Sequence, residues 1–277
     1  MYRELLLEVQ GTAAVISFNR PARLNALTPR MLSELRHALA AAEADTKVVG
    51  IILTGVGRGF SAGMDTEALA AGVRGERVAG QNYNELDADP GDPAMGEAFG
   101  VTFAYLLRVR KPILAAVNGP CAGLSMAIAA LCDLRFAASS AVFKTAFAQR
   151  GLVAEHGLSW ILPRLLGPSR ALDLLWHPRK VTADEALQLG LVNRVVPHAD
   201  LLAQSQQYIE ELAAASSPAS MQEIKQQVYR GLMQPLDVAM NEAIARMQNS
   251  FTRPDFAEGV QSFLEQRPPR FPRLGQS

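Results

Sequence analysis

An α/β fold is predicted by short apolar runs that alternate with helical patterns along most of the chain. Residues 13–18, 48–53, 113–117 and 134–138 are largely apolar and of strand length, and the first three are rich in Ala, Val and Ile. Turn-forming clusters close those three: Asn19-Arg20-Pro21, the glycine-rich Thr54-Gly55-Val56-Gly57-Arg58-Gly59, and Asn118-Gly119-Pro120. Repeated strand, loop and helix units build a sheet covered by helices.

Run 13–18 reads as a strand that stops before Pro21. Thr28-Pro29 then supplies an N-cap hydroxyl and a proline at the first helical position, and Met31, Leu32, Leu35, Ala38 and Leu39 follow on one helix face. Residues 48–53 (VVGIIL) are apolar without alternation, as a strand buried on both faces requires, and the glycines after them demand a loop. Residues 66–97 are rich in Gly, Ala, Asp and Glu with little periodicity. They mark a mobile active-site lid whose acids Glu85, Asp87 and Asp89 are expected in solvent. A helix is predicted near 99–108 and a buried strand at 113–117. Residues 123–132 (GLSMAIAALC) are apolar on all sides, so they form a buried helix opening at a glycine. Run 134–138 supplies the next strand.

Beyond Pro197 the pattern is helical only, around 200–215, 219–231, 235–249 and 254–266. The chain thus divides into an α/β core at 1–197 and a helical region at 198–277. The apolar faces of that region are expected to pack on the core or on a neighbouring subunit.

Composition narrows the function. Hydrophobic residues make up 49% and charged residues 19%, which suits one large globular core rather than a disordered chain. Lys plus Arg and Asp plus Glu both number 27, so no global field draws nucleic acid or an anionic membrane, and an anionic ligand has to be held by local groups. Cys121 and Cys132 have no second cluster of metal ligands nearby, and packed, reduced thiols without a metal site are expected. The N-terminus lacks the cationic start and apolar stretch of a signal peptide, and no uncharged run approaches the ~20 residues that span a bilayer. A cytoplasmic protein without membrane or nucleic-acid partners is the expectation.

Three blocks carry a more specific pattern. The first is Phe60-Ser61-Ala62-Gly63-Met64-Asp65. The second is Ala115-Ala116-Val117-Asn118-Gly119-Pro120-Cys121-Ala122-Gly123, followed by Cys132-Asp133-Leu134-Arg135. The third runs from Phe143 through Gly151-Leu152 and Leu162-Pro163-Arg164 to Ala186-Leu187-Gln188-Leu189-Gly190-Leu191-Val192-Asn193. In this order, with Arg20-Pro21, Leu24-Asn25-Ala26-Leu27, Phe256-Ala257-Glu258-Gly259 and Phe263, they resemble the crotonase (enoyl-CoA hydratase/isomerase) superfamily. The resemblance implies a crotonase-like spiral of repeated ββα units with a C-terminal helical region. It also implies an acyl-CoA thioester as substrate, no separate cofactor because CoA is part of the substrate, and a homotrimer or dimer of trimers.

The first two blocks have a physical reading of their own. A backbone amide can donate to a developing enolate oxygen only where the chain turns its N–H toward the pocket, and glycine permits such turns. Gly63-Met64 and Gly123-Leu124 suit that task, although ordinary tight turns between strand and helix are the competing reading. The resemblance assigns the two oxyanion donors to the N–H groups of Met64 and Leu124. It places Arg23, Leu24 and Ala26 near the phosphates and pantetheine, and Ala62, Gly63 and Asp65 near the adenine, with Gly123 and Phe263 also in contact with substrate. Asp65 reads better as a loop-fixing acceptor than as a catalyst. Glu67 and Gln266 stand where the family carries basic residues, so affinity for the CoA phosphates is expected to rest on different cations; Arg23 and Arg267 are candidates, with ordinary surface charges as the competing reading.

The proton carrier is the departure from the pattern. Where the resemblance places two hydratase glutamates, this chain has Ala127 and Phe147. Glu155, in Gly151-Leu152-Val153-Ala154-Glu155-His156-Gly157, resembles the single catalytic glutamate of peroxisomal-type enoyl-CoA isomerases. A carboxylate there can take a proton from one carbon and return it two carbons along. His156 is the alternative acid/base, but adjacent loop side chains are expected to diverge. Hydrolysis or carbon–carbon cleavage on the same fold, and a non-catalytic acyl-CoA-binding protein, are the competing functions. An RNA-binding role calls for a lysine-rich helix, and helix 28–42 offers only Arg30 and Arg36.

Overall fold

A computed structural model describes residues 2–74 and 83–275. Strand β1 (Leu5–Gln10) folds back antiparallel on β2 (Ala13–Phe18), with Leu5 opposite Phe18. Helix α1 (Pro29–Ala44) starts where the sequence places its cap, the Thr28 hydroxyl accepting the Met31 N–H at 3.0 Å. The Met31, Leu35, Ala38 and Leu39 face of α1 is buried. Strand β3 (Gly50–Gly55) begins two residues later than the apolar run 48–53, because the Val48 N–H is used in a turn to Asp45 O on leaving α1. It pairs parallel to β2.

Helix α2 (Thr66–Val73) opens the predicted lid; residues 75–82 of that lid lie outside the described residues. Farther on, Asp87 and Asp89 are exposed, as expected, but the Asp89 carboxylate also takes hydrogen bonds from both Arg36 and Arg108 and so ties the segment to α1. Glu85 lies 3.8 Å from Arg30. The helix predicted at 99–108 is a 3-10 turn at Glu97–Gly100 and a one-turn α3 (Tyr105–Arg108). Thr102, in a left-handed conformation with φ 42°, breaks the helical ladder between them.

The chain then repeats one pattern. Strand β4 (Ile113–Val117) joins the large sheet, β5 (Pro120–Ala122) joins a small one, and α4 (Leu124–Leu131) follows. Strand β6 (Leu134–Ala138) returns to the large sheet and β7 (Val142–Lys144) to the small one, followed by α5 (Leu158–Leu166) and α6 (Pro168–Trp176). The antiparallel partner of β7, β8 (Val181–Thr182), then α7 (Ala183–Leu189) and β9 (Arg194–Val196) complete the series. The large sheet has the order β1-β2-β3-β4-β6-β9, parallel from β2 onward, and the small sheet β5-β7-β8. Alternation between two sheets before each helix is the repeated ββα spiral.

All eight residues of α4 are buried, which is why its sequence shows no polar face. At its C-terminal end the buried Arg135 guanidinium donates to Cys132 O at 2.7 Å and Leu191 O at 2.7 Å. Both cysteines are free and buried, and burial pushes both thiols up to about 12, so they behave as packing groups.

After β9 come α8 (Leu201–Ala215), α9 (Pro218–Gly231), α10 (Leu236–Ser250) and α11 (Pro254–Leu264). Leu201 and Ile209 of α8 join a core formed by Val15, Ile52, Leu114 and Phe136. Helix α9 is fastened to the core through Asp133, which receives Lys225 Nζ at 2.7 Å and the Tyr229 hydroxyl at 3.0 Å. No helix among the described residues is long and apolar enough to cross a membrane.

Candidate active site

Asn25, buried and at φ 54°, braces the loop that follows β3. Its Oδ1 accepts the Arg20 N–H at 2.9 Å, and its Nδ2 donates to Val56 O at 3.0 Å and Gly59 O at 2.8 Å. The next loop is held from the same side. Leu24 O accepts the Ala62 N–H, the Leu27 N–H donates to Gly63 O, and Leu27 O accepts the Asp65 N–H, at 2.8 to 2.9 Å. Arg20 Nη1 spans Ala26 O at 2.7 Å and Asp65 Oδ2 at 2.8 Å. Burial on its own would raise the Asp65 carboxyl, but the Arg20 hydrogen bond, the Glu67 amide and the charges of Arg20 and Arg23 outweigh it and hold the group below the usual carboxylate range. Asp65 is a loop-fixing acceptor.

A second loop meets the first. The Ser61 N–H donates to Pro120 O at 3.0 Å and the Ala122 N–H to Ser61 O at 3.1 Å, a strand-like bridge that extends the small sheet. Ser125, fully buried in the first turn of α4, donates its hydroxyl to Ser61 O at 2.7 Å. Gly123, at φ 54° and ψ −122°, turns the chain into α4. At Gly63, with φ +92°, an added Cβ would lie 2.5 Å from Ala122 O and 3.5 Å from the Leu124 nitrogen. Only glycine allows this approach. The consequence is two amides, Met64 N–H and Leu124 N–H, on adjoining loops, and neither meets an acceptor among the described residues. Leu124 is also the first residue of α4, where the helix dipole adds positive potential.

Both residues line a pocket of about 400 Å³. Arg23, Ala26, Ala62, Gly63, Asp65 and Gly123 line it too, so the pocket gathers most of the residues singled out from sequence. Leu24 does not: its carbonyl holds Ala62, and its side chain lies 3.6 Å from the Cβ position of Gly59. Phe263 does not line it either. It sits on α11, 82% exposed, beside an apolar groove formed with Phe256, Ile224 and Phe271. Arg267 is engaged by Glu258 at 2.6 and 3.0 Å and by Glu265 at 2.5 Å, which removes it as the free cation expected for CoA. Arg150 is the cation that sequence reasoning missed. It is exposed, lines the pocket with Arg23, and has no carboxylate partner among the described residues.

Glu155 lines the pocket from the loop between β7 and α5. His156 lines it as well, and its Nε2 lies 3.7 Å from Glu155 Oε2, contrary to the expectation that the two side chains diverge. The reason is backbone geometry: His156 adopts φ 57° and Gly157 φ 84°, and this left-handed turn folds consecutive side chains to one side. Burial lowers the His156 pKa below its ordinary value of 6.5, against the opposing charge of Glu155, which favours the neutral ring. Phe147 is part of the wall, whereas Ala127 is buried within α4. A carboxylate that shares one pocket with two unpaired amides is an arrangement that can hold an anionic oxygen and move a proton.

The chain matches the family described as Enoyl-CoA hydratase/isomerase over residues 8–273. It is 34% identical over 272 residues to a probable enoyl-CoA hydratase of Rhodobacter capsulatus, covering 98% of each chain. It is 30% identical over 277 residues to the 1,2-epoxyphenylacetyl-CoA isomerase of Escherichia coli, covering 98% of this chain and 99% of that one. The crystal structure of an enoyl-CoA hydratase from Bacillus anthracis superposes with a TM-score of 0.83 at 26% identity, covering 98% and 99% of the two chains. The protein belongs to the enoyl-CoA hydratase/isomerase family and has the crotonase fold.

Proposed function

We propose that this enzyme binds an acyl-CoA thioester with its carbonyl oxygen on the Met64 and Leu124 amides and uses Glu155 as its only carboxylate acid/base. The observation that carries this reading is that Glu155 and both unpaired amides line one pocket, while the hydratase positions hold Phe147 and Ala127. Removal of a proton from the carbon beside the thioester carbonyl leaves an enolate, whose oxygen the two amides stabilise; each such donor is worth roughly 2.7 to 4 kcal/mol in the transition state. Returned two carbons along, that proton completes an enoyl isomerisation. With a water held by Glu155 the same site hydrates a double bond. The phosphates fall to Arg23 and Arg150 at the pocket wall.

The apolar side chains exposed on α9 to α11, including Ile224, Leu236, Phe256 and Phe263, support packing of neighbouring copies in a homotrimer or dimer of trimers. Phe263 would then reach substrate only through such an assembly.

Trans-2- and trans-3-enoyl-CoA, supplied separately with Glu155→Gln as control, test the chemistry. Conversion of trans-3- to trans-2-enoyl-CoA that falls at least a hundredfold in the variant supports isomerisation. Water addition with the same dependence supports hydration. Full activity of Glu155→Gln removes the catalytic assignment. Binding without conversion of either substrate would make the chain a binding protein.

A further inference from the structure

Glu155 and His156 are neighbours in the chain and in space. Side chains on consecutive loop residues commonly point apart, but φ 57° at His156 and φ 84° at Gly157 bring both into one pocket, with His156 Nε2 3.7 Å from Glu155 Oε2. Arg23 and Arg150 line the same pocket, yet among the described residues His156 is the one basic side chain near enough to pair with this carboxylate. The ring is also held. Phe103 meets it edge-on, with centroids 5.4 Å apart. Burial favours its neutral form, in which one ring nitrogen has a hydrogen to donate.

A carboxylate has two equivalent oxygens, and on a loop without partners it presents either of them. Carrying a proton between carbons two apart demands one oxygen in one place. A hydrogen bond from Nε2–H to Oε2 would end the equivalence, occupying one oxygen and leaving Oε1 for the substrate. The 3.7 Å separation has to close by about 0.8 Å to reach an ordinary N–H···O length. Side-chain rotation supplies that, and catalytic hydrogen bonds often tighten only once substrate is bound.

We propose that His156 is a positioning residue, which donates Nε2–H to Glu155 Oε2 in the substrate complex and so makes Oε1 the single proton carrier. The inference rests on the thioester reading given above. Oε1 takes a proton from the carbon beside the carbonyl, and the C–H electron pair passes into the enolate held by the Met64 and Leu124 amides. The proton then leaves Oε1 for the carbon two along, and the carboxylate is as it began. His156 touches no reacting atom. Its hydrogen bond favours the charged carboxylate over the neutral acid, so it also keeps Glu155 ionised for the first step. The other charged groups facing the pair are Arg23 and Asp65 from the loops after β2 and β3, and Arg150 from the 3-10 turn Ala148–Arg150. Among the described residues no charged side chain lines the cavity on the other face of the ring.

The test follows deuterium entering trans-3-hexenoyl-CoA or its product in D2O, by mass spectrometry, for the wild type, Glu155→Gln, His156→Gln and His156→Leu. Thermal melts confirm that the variants fold. Both His156 variants lose the imidazole and meet the same left-handed backbone, so the difference between them reports the donor alone. His156→Leu is expected to lower kcat about tenfold or more, the worth of a hydrogen bond to a charged group, with KM nearly unchanged. His156→Gln keeps an N–H donor and should recover most of that loss. The acid limb of kcat/KM, which reports the carboxylate, should lie lowest in wild type, where the ring adds charge as it protonates, and higher in His156→Gln. In His156→Leu it should stand about one pH unit or more above wild type. Equal losses in the two variants with an unmoved acid limb overturn the inference and leave Glu155 as the base, as does full activity of His156→Leu. Loss of activity in both variants with Glu155→Gln still active makes His156 the base and overturns both readings. Absence of deuterium in the wild-type reaction also overturns both.

Discussion

The hydroxyl of Ser125 donates to the carbonyl of Ser61 at 2.7 Å, joining the first turn of α4 to the loop after β3, 64 residues earlier in the chain. Each loop carries one of the unpaired amides, so this bond helps set the separation between two hydrogen-bond donors without itself touching the pocket. Ser125→Ala should lower stability by about 1 to 2 kcal/mol. It should lower kcat by about tenfold or more, with KM changing less. Steady-state kinetics beside a denaturation curve separates the two effects.

Gly63 and Gly123 should respond differently to alanine. At Gly63 the new methyl would meet Ala122 O at 2.5 Å, so Gly63→Ala must displace one loop and is expected to abolish turnover. At Gly123 the nearest atom is 3.8 Å away, and the strain is in the backbone, because φ 54° with ψ −122° lies outside the left-handed helical region that other residues can visit. Gly123→Ala should therefore cost about 1 to 3 kcal/mol through backbone strain and leave measurable activity. Melting temperatures and kcat for the pair check the contrast.

The Arg20–Asp65 bond predicts an acid-sensitive loop. Because the Asp65 carboxyl is held below its ordinary value of 3.8, its contribution to stability is present above that pH and is lost as pH falls through the lower folded value. Asp65→Asn should lower stability at neutral pH by about 1.5 to 3 kcal/mol and flatten this part of the acid profile. Unfolding followed between pH 2 and 7 reads both.

Lys111 predicts a trend at the alkaline end. Burial lowers its pKa from 10.5 to about 8, against the attraction of Asp45 and Glu43, while its ammonium donates to Ala42 O and Asp45 O. The unfolded chain holds this proton more tightly, so Lys111 makes stability rise with pH between about 8 and 10.5. The slope is at most about 1.4 kcal/mol per pH unit. Lys111→Met should remove this contribution, as chemical denaturation across that range would show.

Arg150 should matter for binding more than for turnover. Replacing it with alanine is expected to raise the Kd for a saturated acyl-CoA by about tenfold and to weaken the salt dependence of binding, because an exposed cation acting on phosphates is screened by ions. Calorimetry at two salt concentrations tests this.

Much of this could be read from the chain itself. The buried strands and α4 announce themselves because burial on every side removes polar residues, and the glycines at 63 and 123 mark turns that other residues resist. Ser125 was visible as the only polar side chain in an otherwise apolar helix, yet its purpose depends on the distant Ser61. The convergence of Glu155 and His156 was hidden, since nothing in a His-Gly pair states that histidine will take the left-handed conformation. Arg150 was hidden for another reason: what distinguishes it is its place in the pocket wall, and which side chains meet at a pocket is set by tertiary packing. The broken helix at 99–108 shows the same limit, with Thr102 held in a conformation that local preference disfavours.

The two donors at 64 and 124 are main-chain groups, and this separates two kinds of change. A substitution at either position exchanges a side chain and leaves the N–H in place, unless the replacement is proline. On the proposed reading, the surface that would receive the oxygen is therefore fixed with the backbone, whereas the group that would handle the proton can be exchanged one residue at a time. Phe147 and Glu155 both line the pocket, so a substitution at either would change the chemistry on offer there without remodelling the loops.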